Sequence, residues 1–374
     1  MQNYYPLLLN PIYKEMLWGG NRLNTIYNRA SPYEKTGESW DISCRLGEMG
    51  IIENGPLAGQ TLADYITQDK TGVLGTRLAH QEQFPLLVKL IDANDTLAVQ
   101  VHPDDSQARE AAEKSQVSMV AQWQATDTGK TEMWYILAPP TDGNLIIGLK
   151  PGITPCALRA AYENGAVEDC LNHLPVKTGD IINIPAGLVH ALTKGVMVAE
   201  VQQNSDITYR LYDYNRIGLD GKPRDLHIEE ALAVSDFKSK IPKTITPGLV
   251  IKKGDCSLTY AIANPYFAII KYDLQGSLIE NSNPEAFCIF TCVEGEAEIL
   301  HCTSDESVSA TQLPTGRSIF MPAGLRYYTL HPKHGHCVLL KSFVPDIEND
   351  FIAPLLTNGY TNEEIAAFTA LNVK

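Results

Sequence analysis

The sequence has no apolar run of the ~18 residues that a membrane-spanning helix needs, and no CxxC pair among its eight cysteines (Cys44, Cys156, Cys170, Cys256, Cys288, Cys292, Cys302 and Cys337). The first absence argues against a helical membrane protein. The second, with the cysteines scattered singly along the chain, reads as reduced thiols packed as small hydrophobes rather than a disulfide framework. Positive charge is scarce as well. Thirty Lys and Arg stand against 44 Asp and Glu, a formal net charge of −14. So acidic a surface lacks the basic face that generic nucleic-acid binding requires, but an anionic substrate stays open because a pocket can be locally positive on an acidic protein. Residues Met1 to Asn10 carry no basic start and too short an apolar run for a signal peptide, so the expected location is the cytoplasm.

What is present is ordinary globular material, 44% hydrophobic and 20% charged over 374 residues. That rules out wholesale disorder, fits two domains, and can bury a core without a disulfide or metal staple. The 27 glycines and 22 prolines favour many short strands over long helices. Strand-like runs gather in two regions. The first holds Phe84 to Ile91, Leu97 to Val101, Glu132 to Ala138, Leu145 to Leu149, Asp180 to Ile184 and Met197 to Gln202. The second holds Phe267 to Tyr272, Phe287 to Val293, Ala297 to His301, Ser318 to Met321 and His336 to Phe343. Such spacing suits a β-sandwich or barrel. Helices are expected at Ser106 to Gln122, Thr154 to Leu171 and Asn362 to Leu371, the last with Thr361 and Glu364 forming a capping box. A linker is expected around Ile241 to Lys253.

An internal repeat organises the chain. Thr178 to His190 reads TGDIINIPAGLVH and Thr315 to Tyr327 reads TGRSIFMPAGLRY. Each is a turn, a short strand, a Pro-Ala-Gly turn and the start of another strand, and we read two copies of one β-unit. The first copy ends in His190; the second puts Tyr327 in that place.

Three segments of the first region hold metal-ligand residue types. On a strand, residues two apart face the same side, so Gln100 and His102 of QVHPDD point together, as do Lys130 and Glu132 of KTEMWY. The third segment, PAGLVH, supplies His190. Glu132 is the sharpest of these signals. A carboxylate among Met, Trp and Tyr is costly to bury unpaired, and a cation beside it is the simplest remedy. Two imidazoles, a carboxylate and an amide oxygen suit Zn²⁺ or another first-row divalent ion with an open position.

Four separated segments, QVHPDD, KTEMWY, PAGLVHAL and SDITYRLYDYNR (Ser205 to Arg216), together with Trp18-Gly19-Gly20 and Gly37-Glu38-Ser39-Trp40, agree in order and spacing with one family. The chain resembles the type I mannose-6-phosphate isomerases of the cupin superfamily, in their short bacterial form, from about residue 5 to 230 with a weaker echo beyond. The resemblance implies a mainly β fold of two cupin-type (jelly-roll) β-barrels. The first, 1–240, would be the metal-binding catalytic domain with helical insertions. The second, 241–374, would be a degenerate barrel plus a C-terminal helix. It implies one zinc per chain in the first barrel on Gln100, His102, Glu132 and His190, an active-site arginine at Arg210, Lys130 beside the ligands, and Glu200 lining the pocket. It departs at Ala98, where eukaryotic members carry a serine thought to touch substrate phosphate. The second barrel shows Arg326-Tyr327-Tyr328 in place of the histidine segment and is expected to bind no metal.

The chemistry so implied interconverts mannose 6-phosphate and fructose 6-phosphate by moving a proton between C1 and C2 through an enediol(ate). It needs a base near those carbons and positive charge where O1 and O2 develop negative charge. Lys130 or Glu200 is the candidate proton carrier, and Arg210 stabilises the enediolate or grips phosphate. Trp18, Trp40 and Trp134 are candidates to stack on the sugar ring. The phosphorylated hexose is the expected partner. Two alternatives stand beside this reading: a non-catalytic sugar-phosphate-binding cupin, which Lys130 and Arg210 speak against, and an iron-dependent cupin oxygenase, which Gln100 in place of a third histidine weakens.

Overall fold

The structure is a computed structural model describing residues 4–114, 128–218, 221–238, 244–303 and 306–371. In the amino-terminal half a six-stranded sheet runs in the order Ile181–Ile184, Glu132–Ala138, Met197–Gln203, Leu86–Asp92, Thr36–Ile42, Ile12–Gly20. A five-stranded sheet, in the order Leu171–Pro175, Asn144–Leu149, His190–Ala191, Val99–Val101, Tyr209–Tyr212, faces it. The pairings of both are antiparallel. Their inner faces share one core, in which Ile91, Trp134 and Ile182 of one sheet meet Leu145 and Ile147 of the other.

Both faces of this sandwich are covered. Val99 and Val101 turn outward, packing with Leu158 of helix Pro155–Glu163 and Ala231 of helix Ile228–Val234. Leu86, Val88, Met133 and Val201 turn outward from the six-stranded sheet onto Ile269, Phe287 and Phe320 of the carboxy-terminal half. Burial on both faces explains why FPLLVKLI reads as a continuous apolar run rather than an alternation.

The carboxy-terminal half is built on a sheet of eleven strands among the described residues, with its own core around Leu258, Tyr272, Phe290 and Leu339. The amino-terminal strand Leu7–Asn10 joins this sheet, pairing with Ser318–Met321. Buried Arg29 ties the halves further, bonding the Asp41 carboxylate and the Gly316 carbonyl.

Several expected elements change length for physical reasons. Phe287 to Val293 and Ala297 to His301 merge into one strand, Cys288–Cys302, because Gly295 at φ +67° lets the chain bulge rather than break. The last expected strand lengthens to Tyr327–Phe343. The expected linker ends in a strand, Leu249–Lys253, whose Leu249 and Ile251 are buried and Val250 and Lys252 exposed; its residues 241–243 lie outside the described residues. The helix expected to Leu171 stops at Glu163, where Gly165 takes φ +68°, and a 3₁₀ turn, Val167–Cys170, follows. Asp105–Lys114 forms the described part of the first expected helix, with Asp104 accepting from the Gln107 N–H; residues 115–122 lie outside the described residues. The Thr361–Glu364 capping box is present, on helix Asn362–Phe368. All eight cysteines are free thiols, with Cys156 and Cys302 exposed rather than packed. Among the described residues no helix is long and apolar enough to cross a membrane.

The two repeat copies both form strand, turn and strand, but their turns differ. In the first, Gly187 adopts the positive φ; in the second Arg326 does, at +68°. Residue alignment puts Tyr327 opposite His190, yet Tyr327 is 65% exposed and Tyr328, at 2%, turns into the barrel. Shifting the unusual φ along the chain changes which residue of the next strand faces inward.

Candidate active site

Strand register assembles the site before any side chain is considered. In the five-stranded sheet Gln100 sits directly between His190 and Arg210. In the six-stranded sheet Trp40, Lys89, Glu200 and Trp134 sit abreast on four neighbouring strands. A cavity of about 180 Å³ lies between these rows, lined also by Trp18, Lys130 and Arg224.

His102 and Glu132, from the ends of two strands, meet His190 at its rim. One ligand atom from each of these three lies within 4.8 Å of the others, and all three side chains are buried. Glu132 Oε1 is 3.3 Å from His190 Nε2, and its Oε2 is 3.6 Å from His102 Nε2. The imidazoles are aimed by backbone carbonyls. His102 Nδ1 is 2.9 Å from the Ile207 oxygen and His190 Nδ1 is 2.8 Å from the Leu188 oxygen. With Nδ1 donating, each Nε2 presents a lone pair to the cluster. Burial holds both imidazoles neutral. It pushes His190 down to about 4 and His102 well below its ordinary value, with the Lys130 ammonium adding to both. Gln100 Nε2 lies 3.4 Å from His190 Nε2. Lys130 Nζ sits within the cluster, 2.6 Å from Glu132 Oε2 and 3.1 Å from His102 Nε2. Glu132 Oε1 is buried and has no hydrogen-bond partner among the described residues.

Glu200 is 3% exposed. It accepts from Trp134 Nε1 at 2.8 Å and pairs with Lys89 at 3.5 Å. Lys89 also pairs with Glu38 at 3.4 Å and lies over the Trp40 ring, whose Nε1 donates to Glu38 at 2.6 Å. Burial works against the Lys89 ammonium, but Glu38 and then Glu200 outweigh it and hold its pKa above the ordinary lysine value. Arg210 lines the cavity; burial and then the neighbouring Arg224 lower its pKa. The Asp213 carboxylate is occupied by Arg224, at 2.7 Å, and by Arg216.

The structure thus brings every sequence-selected residue to one place: Gln100, His102, Glu132 and His190, with Lys130, Glu200 and Arg210 around them. Sequence reasoning missed Lys89, Glu38 and Arg224. Lys89 carried the same signal as Glu132, a charge in mid-strand among apolar neighbours. The Trp-Gly-Gly segment also gains a physical reason. A Cβ on Gly20 would lie 2.4 Å from the Asp92 carboxylate, which binds the Arg22 backbone N–H and guanidinium.

Comparison with known proteins decides the family. The model of the type I phosphomannose isomerase catalytic domain matches residues 7–139, and that of the mannose-6-phosphate isomerase cupin domain matches residues 257–344. Mannose-6-phosphate isomerase ManA of Bacillus subtilis is 32% identical over 89% of this chain and 98% of its own length. The chain belongs to the mannose-6-phosphate isomerase family. A second relative, named "Probable mannose-6-phosphate isomerase GmuF", also from Bacillus subtilis, is 39% identical over 73% of this chain and 81% of its own. The crystal structure of the mannose 6-phosphate isomerase from Bacillus subtilis superposes with a TM-score of 0.76 at 30% identity, covering 90% of this chain and 99% of that one. The fold is therefore mainly β and cupin-type, and the chain is an isomerase of this family.

Proposed function

We propose that the chain interconverts mannose 6-phosphate and fructose 6-phosphate through an enediol(ate) in the cavity of its amino-terminal barrel, with one zinc ion per chain held by Gln100, His102, Glu132 and His190. One observation carries the reading: two neutral imidazoles converge on a buried carboxylate whose Oε1 has no partner among the described residues. An orphaned carboxylate oxygen beside two aimed lone pairs is a donor set awaiting a cation. Gln100 completes it when its amide is turned over to offer oxygen, since the two ends of an amide are nearly the same shape. Bound there, the ion supplies Lewis-acid polarisation of the sugar oxygens or of a bound water.

The remaining work falls to the chain's own residues. Lys130 carries the proton between C1 and C2. It takes up the proton as the neutral amine and returns it as the ammonium; its Nζ is held by His102 and Glu132, lines the cavity, and would be freed toward the sugar carbons if those two side chains held the ion instead. Glu200 is engaged by Trp134 and Lys89. Arg210 grips the phosphate with its planar fork, beside Arg224, whose own fork is held by Asp213; Arg210 answers for the hydroxyl that Ala98 lacks. Lys89 stays charged on the opposite wall, its ammonium shared between Glu38 and Glu200.

A coupled assay of mannose 6-phosphate conversion, with and without chelator, tests this. Turnover lost on chelation and restored by zinc is expected. Turnover indifferent to the chelator removes the ion from the reaction, and tight sugar-phosphate binding without turnover favours the sensor reading.

A further inference from the structure

The carboxy-terminal barrel holds a polar hollow that the reaction does not use. It measures about 120 Å³ and lies where the second Pro-Ala-Gly turn delivers its strand, as His190 is delivered in the first barrel. Its floor is Glu280, 8% exposed, which accepts from the Tyr272 hydroxyl at 3.0 Å and from Lys253 at 3.1 Å, and pairs with Lys341 at 3.5 Å. Two ammonium groups therefore face one carboxylate. A second carboxylate at the edge, Asp350, is paired with Arg77 at 3.1 Å, a guanidinium that Glu285 also approaches at 3.7 Å. Lys341 is further enclosed by the rings of Phe343, Phe290 and Tyr272, at 5.6–5.9 Å.

Two hydroxyls line the same hollow with little to bind. Ser282 Oγ is buried without a hydrogen-bond partner among the described residues, although the residue is only 8% exposed. The Tyr328 hydroxyl, on the residue that the register shift turned inward, meets a thiol, Cys288 Sγ, at 3.9 Å. A buried hydroxyl left unsatisfied costs stability unless something fills its valence. Each of these hydroxyls keeps a hydrogen to donate, and within the hollow the two ammonium groups of Lys253 and Lys341 converge on the one carboxylate of Glu280.

We propose that this hollow is a second ligand site, specific for a small oxyanion of orthophosphate size. Lys341 supplies the charge, and Ser282 and Tyr328 donate to its oxygens. The hollow is smaller than the isomerase cavity, about 120 against about 180 Å³, and it is lined by Lys253, whose side chain is 46% exposed. Such a ligand, bound to the folded state alone, stabilises the second barrel.

Isothermal titration of the full chain with inorganic phosphate tests the proposal, with Arg210→Met as background to weaken the isomerase pocket's hold on phosphate. The expected result is one phosphate bound per chain. Lys341→Met added to that background weakens binding at least tenfold, and Ser282→Ala and Tyr328→Phe each weaken it severalfold. Lys341→Met in the otherwise natural chain leaves kcat/KM for the sugar phosphate unchanged. Absence of phosphate binding in Arg210→Met overturns the proposal, as does binding that neither Ser282→Ala nor Tyr328→Phe alters. The two hydroxyl variants remove one oxygen each and keep the test valid where Lys341→Met fails to fold.

Discussion

Acidifying the metal-free protein should expose the burial of His190 as a loss of stability. The imidazole is fully enclosed, and burial first, with the Lys130 charge assisting, pushes its pKa from 6.5 down to about 4. The unfolded chain takes up a proton on this residue near the ordinary value, whereas the folded chain resists until the lower one. Between the two values the unfolded state binds more protons, so stability is fully present above the ordinary pKa and falls as pH drops toward 4. At ~1.4 kcal/mol per pH unit, acidification to about pH 4.5 removes roughly 2–3 kcal/mol through His190 alone. His102 shifts in the same direction, from burial first and then Lys130. The assay is urea unfolding in chelator, at about pH 7 and about pH 4.5, on the natural chain and on His190→Gln. Carboxylate contributions are common to both proteins and cancel in the difference. The natural chain should lose more stability than the variant by the amount given. Equal losses would refute the burial argument, and with it the claim that these nitrogens stand ready as neutral ligands.

Further outcomes follow from the same geometry. Lys130→Met should lower kcat by about 10²–10⁴-fold while zinc content, read by elemental analysis, persists. Arg210→Lys should raise KM strongly, because a lysine keeps the charge but loses the two-pronged geometry; recovery of normal kinetics in that variant would remove the planar fork from the argument. His190→Ala should abolish metal content and activity while the thermal transition survives, and unchanged metal content would take His190 out of the ligand set. Lys89→Met leaves buried Glu200 and half-buried Glu38 without their shared cation, which should cost about 3–5 kcal/mol in urea unfolding.

Much of the first barrel was legible because the relevant signals are local. Period-two alternation alone placed Gln100 with His102 and Lys130 with Glu132, and the capping box at Thr361 and Glu364 needs only four consecutive residues. Glu132 stood out through its neighbours' chemistry. Lys89 carried an equal signal and was passed over, because its partners Glu38 and Glu200 lie 51 and 111 positions away in the chain and only the sheet brings them together. Arg224, beyond the last strand of its sheet, had no local mark at all.

The sequence by itself determined which residues could do chemistry and on which side of each strand they would lie, since side-chain direction on a strand is set by backbone sterics within a few residues. Tertiary structure decided the rest. It chose which strands became neighbours, so that His190, Gln100 and Arg210 stand abreast and face the Lys89–Glu200 row. It carried Leu7–Asn10 across to the second barrel, and it turned Tyr328 rather than Tyr327 inward by moving one positive φ from a glycine to Arg326. The strand pairings among these rest on burial shared between segments from 90 to 313 residues apart, which no local pattern encodes.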